Sequence, residues 1–93
     1  MSREKDLIER RREISILEAQ ILEVKQHIDY LEKSLAESQE MLDRYHFGEG
    51  DEDMVAAIKG SISQTQNRLD DAYIEYNNLT DRLAVLKRPF FRD

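Results

Sequence analysis

The residues able to do chemistry in this 93-residue chain gather at two places. Glu49, Asp51, Glu52 and Asp53 form an acidic run around Gly50, with Asp43 and His46 just ahead of it. Carboxylates and an imidazole can surround a divalent cation, and a cluster of carboxylates can imitate phosphate, but no loop spacing of the EF-hand kind sets a ligand order here. The second place is Arg10-Arg11-Arg12 near the start together with Lys87-Arg88-Pro89-Phe90-Phe91-Arg92-Asp93 at the end. Guanidinium groups bind carboxylate or phosphate, and paired aromatics after a proline can anchor in a partner's pocket or cover the chain's own apolar end.

Catalysis finds few ingredients. The absence of cysteine removes thiolate nucleophiles, dithiol redox chemistry and thiolate metal sites, and accords with a cytoplasmic address. His27 and His46 stand too far apart on one helix to ligate together, no Ser-His-Asp arrangement can be assembled, and Gly48 and Gly50 lack the strand and lysine of a phosphate loop. Asn78-Leu79-Thr80 matches a glycosylation sequon but falls inside a helical run. The opening MSREKDLIERRRE has no apolar leader core, and no stretch reaches the ~18 apolar residues of a membrane span. The expectation is a protein that is not an enzyme, with no cofactor, no metal and no membrane contact.

The elements that carry these residues follow from spacing. With Leu7 as heptad position a, Leu7, Ile14, Ile21, Ile28, Leu35 and Leu42 fill every a through residue 45, and Arg10, Leu17, Val24, Leu31, Ser38 and Tyr45 fill d. A 3.5-residue repeat held this long predicts a coiled-coil helix, because an ordinary amphipathic stripe drifts by about 20° per heptad. Gly48 and Gly50 break the run, and a second follows with Val55, Ile62, Leu69, Tyr76, Leu83 and Phe90 at a and Ile58, Thr65, Ala72, Leu79 and Leu86 at d, closed by Pro89. The prediction is all-α: one antiparallel two-helix coiled-coil hairpin with a helix over 3–46, a turn at 47–52, a helix over 53–88 and a tail at 89–93. In an antiparallel pair a faces d, and one register places partners at numbers summing to 100: Leu42 with Ile58, Leu31 with Leu69, Ile28 with Ala72, Leu17 with Leu83. It sets Tyr76 against Val24 and Thr65 against Leu35, large beside small, and Arg10 against Phe90 as a cation–π contact.

A lone hairpin of this length shares a single seam and buries little against its ordering cost. Apolar residues outside a and d, namely Ile8, Ile16, Leu22 and Tyr30 on the first helix and Ile74 and Val85 on the second, suggest a further interface. Pairing of two copies into a four-helix bundle is the commonest use of such a face. Charge is also unevenly spread: the net −6 divides into +2 over residues 1–12, −5 over 13–47, −4 over 48–53, −1 over 54–86 and +2 over 87–93. A hairpin brings both termini to one basic end and leaves an acidic tip at the other. The net negative charge argues against direct nucleic-acid binding.

An antiparallel coiled coil with a carboxylate tip is similar to the N-terminal arm of Gre-type transcript-cleavage factors, whose tip acids assist a catalytic Mg²⁺ in the RNA polymerase secondary channel. Glu49, Asp51, Glu52 and Asp53 share that property rather than a motif, and the second domain of those factors has no counterpart here. Two expectations about function result. The first is a non-enzymatic adaptor, inhibitor or assembly component, of the kind phages and bacteria encode, binding protein through the outer face of the first helix (Ile8, Ile16, Leu22, Tyr30) or through the basic end (Arg10, Arg11, Arg12, Phe90, Phe91). The alternative is a modulator of a nucleic-acid enzyme such as RNA polymerase, acting through the acidic tip.

Overall fold

A computed structural model describes residues 2–47 and 52–88, with side chains for 4–45 and 52–88. Helix α1 spans Ser2–Phe47 and helix α2 spans Glu52–Lys87, extending the expected helices by a residue or so at three of four ends and stopping one short at the fourth. Strong helix formers fill α1, and acidic residues open each helix: Glu4 in the first turn of α1, and Glu52 and Asp53 in that of α2. Lys87 closes α2, so both ends of that helix complement its dipole. The backbone N–H of Arg88 donates to the Val85 carbonyl at 3.3 Å, a tightened last turn immediately before Pro89. Gly60 sits on the outside of α2, where an added methyl would meet nothing within 4 Å, so its propensity cost of about 1 kcal/mol has no packing return.

The helices form an antiparallel hairpin 71 × 21 × 14 Å in extent. Its radius of gyration is 20.9 Å, against about 12 Å for a compact domain of this length. Among the described residues the buried ones are Leu17, Val24, Ile28 and Leu31 of α1 and Ile58, Thr65, Leu69 and Ala72 of α2, every one at a predicted a or d position. Leu31 is the most enclosed at 3% exposure. Around it Val24, Ile28, Leu69 and Ala72 form one cluster, with Leu35, Tyr76 and Leu79 packed against its edges. Thr65 is the buried polar residue among those described; its hydroxyl donates to the Ser61 carbonyl one turn back at 2.9 Å and so enters the seam satisfied.

Contacts across the seam set its register. The Tyr73 hydroxyl donates to a Glu32 carboxylate oxygen, and Lys87 Nζ lies 3.2 Å from Glu18 Oε2. All four residues occupy heptad position e, and each pair sums to 105, so the two helices keep step over two heptads. On the opposite side His27 shares a groove with Ala72, and Leu17 shares one with Arg82, each pair summing to 99. A seam sum of 100 meets both observations, since side chains lean toward their own helix N-terminus and facing e residues meet across about five positions. Sliding by a heptad would move His27 about 10 Å from Ala72.

The helices differ in length. In this register Lys87 lies level with position 13 of α1, so residues 4–12 run on past the described part of α2 for about 14 Å. That explains why Leu7, an a residue, remains 42% exposed. The expected contact between Arg10 and Phe90, the tail at 89–93, and the conformations of Gly48 and Gly50 lie outside the described residues.

Candidate interaction surfaces

A two-helix seam leaves two broad sides. One is made by the e and b positions of both helices, the other by g and c, and the f positions face outward along each helix's back. The e/b side is bridged across the seam by Tyr73–Glu32 and Lys87–Glu18. The g/c side is open and carries shallow grooves: one lined by Glu13, Ile16, Leu17, Gln20 and Arg82, one by His27, Arg68, Asp71, Ala72 and Glu75, and one by Glu37, Glu40, Met41 and Arg44.

The exposed large apolar residues distribute unequally between these sides. Ile8, Leu22 and Tyr73 fall on the e/b side, whereas Ile16, Tyr30, Met41, Met54 and Val85 fall on the g/c side, and Ile74 is at f. The four α1 residues expected to make one outer face therefore separate into two files. Ile8 and Leu22 occupy b, Ile16 and Tyr30 occupy c, and the f residues Arg12, Ala19, Gln26 and Lys33 run between them. Within each file the two apolar residues are two heptads, about 21 Å, apart. Alone, α1 thus presents no continuous patch; α2 completes one. Val85 comes level with Ile16, and Met54 approaches the level of Met41, on the same g/c side. Combining the heptad letters of both helices with the register would have exposed this pairing in the sequence.

At the basic end Arg11 and Arg12 are exposed and Arg10 is half-buried. Phe90 and Phe91 lie outside the described residues, so the proposed basic and aromatic site is represented only by its arginines. At the turn end Asp43, Glu52 and Asp53 are exposed, while Glu49, Asp51 and the His46 side chain lie outside the described residues. Among the described residues no group of three or more histidine or acidic side chains is placed to hold a metal ion. The helix dipole at the start of α2 already accounts for Glu52 and Asp53. Lys87–Glu18 and Arg44–Glu40, both at 3.2 Å, join side chains more than half exposed and contribute at most a fraction of a kcal/mol each. No buried polar side-chain atom among the described residues lacks a partner, so nothing buried points toward an absent ligand.

The surroundings of Tyr73 move its titration. Its hydrogen bond to Glu32 holds the phenol above its ordinary value of 10.0, with desolvation and the charges of Glu32 and Asp29 acting the same way. Well below pH 10 the phenol is protonated in folded and unfolded chains alike. As pH rises further the unfolded chain loses its proton first, so folding stability falls. In a spectrophotometric titration the last part of the tyrosinate absorbance should move to lower pH in Glu32→Gln and vanish in Tyr73→Phe. Superimposable titrations of the wild type and Glu32→Gln would mean that the bridge does not persist in solution.

No helix among the described residues is long and apolar enough to cross a membrane. No family model, curated protein or solved structure matches the chain.

Proposed function

We propose that this chain is a non-enzymatic protein-interaction module, a helical hairpin that pairs with a second copy into a four-helix bundle and offers the remaining helical surface to a protein partner as an adaptor, inhibitor or assembly component. One observation carries this reading: the hairpin has a filled seam but no fully buried side chain among the described residues, while ten large apolar side chains stand exposed around it. The accessible surface, 7496 Å², exceeds the roughly 5,600 Å² expected of a compact monomer of this mass by an amount of the order that stable interfaces bury. A second layer of helices would cover both the half-buried flanks of the seam and part of that apolar surface.

Light scattering across a concentration range tests the pairing. The expected mass is twice the 11.0 kDa of one chain. Ile16→Glu with Met41→Glu, both on the g/c side, should shift that mass toward a single chain, whereas Ile8→Glu with Leu22→Glu on the e/b side should leave it nearly unchanged. A wild-type mass of one chain at every concentration would overturn the bundle.

A further inference from the structure

We propose that two copies join through their g/c sides with the rods reversed, the basic end of each beside the turn end of the other, about a two-fold axis at the level of His27 and Ala72. This rests on the self-association proposed above and specifies its geometry.

The choice of side comes from where the apolar groups and grooves are. Five of the exposed large apolar residues line the g/c side against three on the e/b side, whose edge is already spanned by Tyr73–Glu32 and Lys87–Glu18. The 71 Å length of the rod supplies the area a stable dimer needs, roughly 800 Å² per partner.

The direction comes from matching along the rod. Ile16 and Val85 are level with one another near the open end, and Met41 stands near the turn. The midpoint between those two levels falls at position 28, which is the groove of His27 and Ala72. A two-fold axis there brings Met41 of each copy onto the groove of Ile16 and Leu17 in the other. The same operation brings Glu37 level with Arg82 of the second copy, and Arg44 level with its Glu13. Larger-scale charge agrees. Residues 4–18 with 82–88 carry a net +2, and residues 37–45 with 52–63 carry a net −3. A parallel pair would set like ends together, while a reversed pair sets opposite ends together. The acidic middle faces itself in both cases and so favours neither.

Because the chain has no cysteine, introduced thiols are unambiguous. Ile16 and Met41 of one copy are about 37 Å apart along the rod, beyond the reach of a short bismaleimide, so a cross-link between these positions must join two copies. The full chain carrying Ile16→Cys and Met41→Cys together should shift almost completely from one chain mass to two on denaturing gels. Either substitution alone should give no shift, and His27→Cys alone, near the axis, should cross-link to itself. Efficient cross-linking of Ile16→Cys or Met41→Cys alone would overturn the reversed direction. No cross-link in the double variant, in a sample that scatters as a dimer, would overturn the choice of side. A sample that scatters as a single chain would fail at the preceding step, the self-association itself.

Discussion

Leu31→Ala is expected to cost about 3 kcal/mol, most of the stability that a chain of this size can hold. In thermal melts followed by circular dichroism, that loss corresponds to a fall in Tm of about 15 °C at fixed protein concentration. The size follows from position. Leu31 is the most enclosed side chain described, at 3% exposure, and lies within the cluster of Val24, Ile28, Leu69 and Ala72. Truncation removes its transfer free energy and leaves a void that two rigid helices cannot collapse around, because their spacing is held by the layers above and below. Leu69→Ala removes the other side of the same layer. The two losses should therefore couple in a double-mutant cycle by more than about 0.5 kcal/mol. Ile8→Ala, at 55% exposure beyond the end of α2, should change Tm by no more than a degree or two. Equal effects of Leu31→Ala and Ile8→Ala would place the core elsewhere than in this seam.

The contrast between Leu31 and Ile8 also marks what the sequence made legible. Position along a heptad identifies which residues face inward once two helices pair, and each described buried residue stands at a or d. The short connection between Phe47 and Glu52 then leaves little freedom in register, so the seam sum of 100 followed from the same pattern. Leu7 departs from that pattern for a physical reason: it occupies a, yet α2 ends level with position 13 and brings no described residue opposite it. Thr65 shows the reverse, a polar residue that fills a buried d because its hydroxyl closes on Ser61.

The candidate surfaces were harder to read. Heptad letters show that Ile8, Ile16, Leu22 and Tyr30 point away from the seam, but a helix's outer half spans two sides of a hairpin, and only the antiparallel partner tells those sides apart. Grouping the four as one face overlooked that division and the contribution of Val85 and Met54 from α2. A flat helical surface, moreover, has no equivalent of the spacing that a metal site or phosphate loop imposes. Its recognition resides in the shape and charge of the whole rod, which is why the basic and acidic ends carry meaning only after the hairpin is formed.

Heptad insertions offer the second large effect, because they separate the repeat from the particular side chains. Adding seven residues to α1 between Ile28 and Asp29 leaves every a and d letter intact but displaces residues 2–28 by about 10 Å along α2. Beyond the insertion each seam residue then meets a partner one heptad away: Leu83 faces Val24 in place of Leu17, Leu86 faces Ile21 in place of Ile14, and Lys87 meets Lys25 in place of Glu18. We expect such a chain to stay helical but to melt at a lower Tm, because side chains chosen for other partners share each layer and Lys87 comes beside a second lysine. A matching seven residues between Asp71 and Ala72 restores the alignment, because those two insertion points lie level across the seam. The doubly extended chain should recover a Tm no lower than that of the original if the added a and d positions are leucine or isoleucine. A longer matched seam adds two layers of burial, a on d and d on a, and keeps every seam partner while separating Tyr73 from Glu32 across the insertion points, so rescue depends on the register of the seam. Failure of the matched pair of insertions to restore the Tm, or a singly extended chain that melts with the original, would show that the particular seam partners and the Lys87–Glu18 pair do not hold the helices in step.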